Sequence, residues 1–225
     1  MIDWFLNLFH EMEQLVTETS QSPWFLLLVF SFALMDSVIP LAPSEFAVIA
    51  GGVASGAGTL IDDQNVLSVV LVILAGALGA YAGDSLAYLI GSRAEGLARR
   101  TLFRGEKGER RLAAAGAQIR RRGGMLLLTA RFIPGGRTAM TLSCGLTGQP
   151  FLAWFTRWDL LAASLWATYA GLLGFFFGDA FENQSTALWV AFGTAVSISI
   201  SVEAIRWLRA RRQNRRQDQG LDTAA

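Results

Sequence analysis

Apolar residues in this chain gather into long runs, and the polar positions between them are few and clustered. Four runs, roughly 24–39, 66–90, 160–177 and 187–208, can cross or nearly cross a hydrocarbon core that takes about 20 helical residues. Ahead of them, Trp4, Phe5, Leu8, Phe9, Met12, Leu15 and Val16 recur at helical spacing, with Glu11, Glu13 and Glu18 on the polar side. This predicts an amphipathic helix within residues 1–22, lying on a bilayer surface or docking a partner. Beyond the last run, 209–225 turns basic and then polar and predicts a disordered tail.

Two shorter apolar segments share a second pattern. Residues 40–52 carry Pro40, Pro43, Ser44 and Glu45 and close on Gly51 and Gly52, while 124–148 break at Pro134, Gly135 and Gly136 and close on Gly145 and Gly148. Proline removes a helical hydrogen bond and glycine loosens the backbone, so both segments predict hairpins. The alternative for the first is that Pro40 kinks one long helix over 24–56. No Lys or Arg precedes Arg93, and basic residues then crowd 93–122 and 206–216. Cytoplasmic loops carry such an excess, so both stretches are expected inside, with an even number of crossings between them. The runs 160–177 and 187–208 supply two, which makes 124–148 enter and leave on the cytoplasmic side. Segment 40–52 then dips in from outside, because 66–90 must cross inward.

The expected fold is an all-α polytopic membrane protein, an inverted repeat with two opposed re-entrant helical hairpins plus about four transmembrane helices. Repeat one covers about 40–92, a basic cytoplasmic loop 93–122, repeat two about 124–178 and a final span 187–208, within one membrane domain over 23–208. Both termini are expected on the cytoplasmic side of the membrane. Composition agrees: 52% of residues are hydrophobic and 16% charged, more apolar than a soluble domain. The net charge of +1 hides the uneven distribution. A basic stretch beside apolar spans reads as a loop attracted to anionic headgroups, not as a nucleic-acid site. Cys144 and His10 are the single cysteine and histidine, which excludes an internal disulfide and a cysteine metal cluster. The N-terminus lacks the positive region of a cleavable signal peptide, and no cofactor is expected.

Within this apolar setting Arg131 and Arg137 carry the most information. A guanidinium at bilayer depth costs roughly 2.5–3.5 kcal/mol on insertion scales and cannot shed its proton, so it needs a buried partner or an anionic ligand. Its planar fork binds phosphate oxygens bidentately, and a tight turn at Gly135 and Gly136 can bring both arginines, with Thr138, into one pocket. The other reading pairs them permanently with Glu45 and Asp84. Those carboxylates are expected to trade the arginines for protons as an anion comes and goes. Asp36 is a further candidate for this polar interior, and Arg157 and Asp159 read as an interfacial anchor pair. Small residues at Gly76, Gly79, Gly83, Gly171, Gly174 and Gly178 predict close helix packing, within the chain or across a homodimer seam.

Pro40-Leu41-Ala42-Pro43-Ser44-Glu45 with Gly51-Gly52, Gly83-Asp84 through Gly91, Arg131-Phe132-Ile133-Pro134-Gly135-Gly136-Arg137-Thr138, and then Gly145, Phe155 and Trp166 resemble the DedA family of integral membrane proteins. That family is also called the SNARE-associated or VTT-domain family, and the resemblance runs over about 40–178. It implies opposed re-entrant hairpins and, for bacterial members, translocation of undecaprenyl phosphate coupled to protons or ions. It also implies functional weight at Glu45, Asp84, Arg131 and Arg137. Two features depart from the family pattern: Asp159, where a neutral residue such as Asn is more usual, and the arginine-rich stretch after Gly91. The expected partners are an anionic isoprenoid or phospholipid headgroup, membrane lipids, and protons or sodium. A transporter of small ions or solutes, a general phospholipid scramblase and a scaffold recruiting partners through the basic loop are the alternatives. An intramembrane enzyme fits least, because no histidine lies within the apolar runs to act as its base and no metal cluster can be assembled from the single cysteine.

Overall fold

Leu, Ala and Val dominate residues 65–101 and proline is absent from them, so one helix runs unbroken through them all. The computed structural model describes residues 22, 24–38, 44–60, 65–101, 104–122, 124–131, 135–198 and 201. The amphipathic segment expected at the N-terminus, the C-terminal tail, Pro40, Pro43 and Pro134 lie outside these residues. Among the described residues every regular element is helical: α1 (Trp24–Val38), α2 (Ser44–Gly56), α3 (Asn65–Thr101), α4 (Gly105–Arg122), α5 (Met125–Ala130) and α6 (Gly136–Leu146). A π-helical turn (Phe151–Phe155) then leads into α7 (Thr156–Ala180), and a further helix, α8, covers 184–198.

Among the described residues two helices are long and apolar enough to cross a membrane: Asn65–Ala98, within α3, and Phe151–Ala180, which takes in α7. At 15 residues, α1 is roughly 22 Å long, short of a hydrocarbon core of about 30 Å. Of the four crossing runs that hydropathy predicts, α1 does not qualify, and the described part of α8 covers only the first half of its run. The stretch 93–122, expected as a loop, is helical: α3 continues to Thr101 and α4 occupies Gly105–Arg122. Its Ala, Glu and Arg are strong helix formers, and residues charged on all but one narrow face can be helical outside an apolar core.

The outer face of the long helices is apolar, unlike that of a water-soluble protein. Val66, Leu67, Val70, Leu74, Leu78 and Leu86 of α3 and Leu160, Leu161, Leu165 and Phe176 of α7 are exposed, whereas Asp84 and Asp159 are fully buried. A contiguous apolar exterior of this kind needs lipid, not water, as its solvent. Every residue of α2 except Glu45 is buried, so this short helix is held inside the protein.

Direction decides how these helices pair. α1 runs parallel to α3: Val29 lies against Gly76, Phe30 against Gly79, and Leu34 and Ser37 against Gly83. It runs antiparallel to α2, with Phe25 near Gly51 and Asp36 bonded to Ser44. Two successive crossings joined by a hairpin would place α1 antiparallel to α3, whereas the two run parallel. The short helices dock reciprocally. α2 packs mainly on α7 and α6 mainly on α3, each at a seam where backbones touch. A Cβ on Gly174 would stand 2.1 Å from the Ile49 carbonyl oxygen, and one on Gly91 would stand 2.3 Å from that of Leu142. Small residues are what allow such approach in membranes.

Candidate functional site

Asp84 lies midway along α3 and is fully buried. Two arginines reach it from the interruption between α5 and α6. Arg131 caps the C-terminal end of the six-residue α5. The chain resumes at Gly135, whose φ of +69° is left-handed and suits glycine, and Arg137 follows in the first turn of α6. Arg131 Nη1 donates to Asp84 Oδ2 at 3.0 Å, and Arg137 Nε lies 3.6 Å from Asp84 Oδ1.

Neither arginine is confined to Asp84. Arg131 Nη1 is also 3.7 Å from Asp159 Oδ1 on α7, and its guanidinium lies 5.4 Å from the centre of the Trp166 ring. Arg137 Nη2 pairs with Asp36 Oδ2 on α1 at 2.9 Å, and Ser44 Oγ donates to that same oxygen. Thr138 Oγ1 donates to the Ser37 carbonyl at 3.1 Å, fastening α6 to the end of α1. Three carboxylates, Asp36, Asp84 and Asp159, thus meet two guanidiniums. The Arg131 side chain is only 4% exposed, yet its Nε and Nη2 have no hydrogen-bond partner among the described residues. These two nitrogens form one edge of the guanidinium, the geometry that grips two oxygens of a phosphate or carboxylate at once.

The structure brings Arg131, Arg137 and Asp84 together and places Ser44, Gly135, Gly136 and Thr138 around them. Glu45 is half-buried at the start of α2 and, among the described residues, makes no ion pair with either arginine; Asp36 occupies the place beside Arg137 that pairing with Glu45 would need. Asp159 is not part of an interfacial anchor pair. It is 1% exposed whereas Arg157 is exposed, because residues two apart point to different sides of a helix. The signal for Asp159 is its register: Phe155, Asp159, Ala162, Ala163 and Trp166 recur at helical spacing and all are buried. Thr138→Val removes one shared hydrogen bond worth about 1 kcal/mol. The expected outcome is a fall in unfolding temperature of roughly 2–4 °C, read by thermal denaturation in detergent, with the ion pairs intact.

The VTT domain matches residues 42–176, more than half the chain. The chain belongs to the VTT-domain (DedA) family. The match takes in α2, α3, the paired arginines and most of α7. An uncharacterized membrane protein of Mycobacterium leprae (strain TN) is 28% identical over 156 residues, covering 68% of this chain and 65% of that relative's length. No solved structure matches the chain significantly. With its apolar exterior and two helices long enough to span a bilayer, this VTT-domain chain is a membrane protein.

Proposed function

We propose that this protein carries a polyprenyl phosphate, of which undecaprenyl phosphate is the expected example, across a bacterial cytoplasmic membrane. The observation that carries the reading is the Arg131 edge, Nε and Nη2, buried and without a partner among the described residues beside Asp84. A fully paired arginine would be a structural brace; one with a donor edge to spare is prepared for an anion. Arg137 lies on the other side of Asp84 and adds the second positive charge that a phosphate monoester calls for. The leucine-rich exterior supplies a lipid-compatible surface for the isoprenoid tail.

In this reading the arms of the first hairpin are α1 and α2, and those of the second are α5 and α6. Repeat one therefore begins near Trp24 rather than near Pro40. The first tip is acidic, with Asp36 and Glu45 flanking the break, and the second is basic, with Arg131 and Arg137 in the same relation. Asp36 and the two arginines, which flank the breaks, gather around Asp84; in this topology α3 and α7 cross in opposite senses and each hairpin returns to its own side. If α4 is cytoplasmic, residues 22 and 65 share the external side, which revises the cytoplasmic N-terminus expected from charge alone. In a Cys144→Ala background, Ser22→Cys and Ala57→Cys should react with a membrane-impermeant thiol reagent from one side and Ala114→Cys from the other. Reaction of Ser22→Cys from the same side as Ala114→Cys would mean that α1 crosses, and would discard this topology.

Purified protein in liposomes tests the cargo directly. Labelled undecaprenyl phosphate should redistribute between leaflets faster than in protein-free vesicles, with phosphatidylcholine unmoved and excess inorganic phosphate not accumulated. Equal acceleration of all lipids favours a scramblase, and accumulation of soluble phosphate favours a solute transporter.

A further inference from the structure

α4 contributes nothing to the anion site, yet it is strongly basic. Gly105–Arg122 holds six basic residues and two acids, and both acids, Glu106 and Glu109, stand in its first half. Its last turn is Arg120, Arg121 and Arg122. All three are exposed, and none makes an ion pair among the described residues. Glu106 is taken by Arg110 at 2.8 Å, and Glu109 borders the groove between Arg120 and Thr147 without pairing. The end of α4 therefore carries three unanswered positive charges.

That end is fastened to the membrane domain. Gln149, fully buried, donates from Nε2 to the Gly116 carbonyl at 3.2 Å, and Ile119 packs with Tyr88, Leu127, Cys144 and Phe155. Just beyond Arg122, Gly124 lies so close to the Trp158 ring that a side chain there would collide with it. Met125, which opens α5, and Leu152, in the π-helical turn before Trp158, are 61% and 76% exposed. Outward apolar side chains next to tryptophan and arginine mark the boundary between hydrocarbon and headgroups. Successive helical residues lie 1.5 Å apart along the axis and about 100° apart around it, so the three guanidiniums leave α4 as a ring at one depth. A single anion meets only part of such a ring. A plane of headgroups meets all of it.

We propose that Arg120, Arg121 and Arg122 form a docking surface for anionic phospholipid headgroups of the surrounding bilayer. Their charge is the complement of a phosphate-rich surface, which attracts basic side chains that lie within its reach. Depth favours this occupant over a soluble acidic protein or a nucleic acid, because the ring shares its level with Met125 and Trp158 rather than standing clear of the bilayer. The surface also bears on the anion site. α5 has six residues and ends on Arg131, so headgroups that hold the end of α4 hold the start of the segment that presents that arginine. Anionic lipid thus supports transport as a structural ligand; this consequence rests on the function proposed above, and the docking itself does not.

A spin label at Gln118→Cys, in the full-length chain with Cys144→Ala, reports the surroundings of this end of α4 through its collisions with a neutral, water-soluble nickel reagent. The protein is compared in nanodiscs of phosphatidylcholine alone and of one part phosphatidylglycerol to two of phosphatidylcholine. Anionic lipid should lower the collision rate by about twofold or more, and 1 M salt, which screens charges beyond about 3 Å, should restore it. Replacing all three arginines by glutamine should give the phosphatidylcholine value in both lipids. Replacing all three by lysine keeps the charge and should keep the protection. Equal rates in the two lipids, protection that survives the glutamine variant, or protection lost in a folded lysine variant overturns the proposal. Protection by added RNA or polyglutamate in phosphatidylcholine, with none from phosphatidylglycerol, overturns it in favour of a soluble partner. In proteoliposomes undecaprenyl phosphate should move faster when phosphatidylglycerol is present, and the glutamine variant should lose that gain. Should the label be protected while no vesicle shows lipid movement, the docking surface stands and the cargo reading alone falls.

Discussion

Arg131→Ala should abolish movement of undecaprenyl phosphate in proteoliposomes, the largest effect expected of any single substitution. The change removes the hydrogen bond to Asp84, the contact with Asp159, the ring contact with Trp166 and the spare donor edge together. Truncating one member of a buried ion pair costs about 3–5 kcal/mol, because the carboxylate left behind stays buried without its charge partner. Arg131→Lys separates charge from geometry. Lysine can keep a point charge against Asp84 but has no planar fork, so binding should fall while the folded protein survives. Flux measured beside size-exclusion behaviour checks both variants. A well-folded Arg131→Ala that moves the lipid at the wild-type rate removes the proposed role of this residue.

Gly145→Ala should lower thermal stability by several degrees and reduce flux with it. The added Cβ would stand 2.1 Å from the Tyr88 carbonyl oxygen and 2.7 Å from the Ser92 nitrogen, both backbone atoms of α3. Neither can rotate away, so α6 must lift off α3. Overpacking of this kind costs about 1–3 kcal/mol, at roughly 2–4 °C for each kcal/mol in a chain of this size. The same seam carries the Tyr88 hydroxyl bond to the Gln149 carbonyl and holds Arg137 beside Asp84. A shift at this seam therefore reaches the site directly. Gly193→Ala is the control with the opposite sign. A Cβ added there would meet no atom within 4 Å, and alanine is the better helix former by about 1 kcal/mol. Thermal denaturation in detergent compares them; equal stability of Gly145→Ala and wild type would refute the tight seam.

The candidate site is legible in the sequence in part. Arginines retained in an apolar segment beside Pro134, Gly135 and Gly136 are costly anywhere in a bilayer, so their chemistry shows without coordinates. Asp84 shows for the same reason, as a lone acid in a long apolar run. Asp159 does not, because it lies next but one to Arg157 near the start of a helix, and adjacency along the chain suggests a pair that helical geometry forbids. Glu45 and Asp36 exchange places for a related reason. The break at 39–43 reads as the start of a hairpin, whereas the structure sets α1 and α2 antiparallel on either side of it, with Asp36 near the end of one and Glu45 at the start of the other.

What the sequence determined alone was what each segment can be: apolar helices, breaks at proline and glycine, a basic helix-forming stretch, and charges that must be answered. Those properties are local, set by composition and by the backbone preferences of a few residues. Tertiary structure decided which helices run side by side and which charges meet. The parallel course of α1 and α3, the docking of each short helix on the long helix of the other half, and the linking of Asp36, Asp84 and Asp159 by two arginines all join residues distant in sequence. Such contacts follow from packing the whole chain, since the identity of a side chain states what it needs but not which element will supply it.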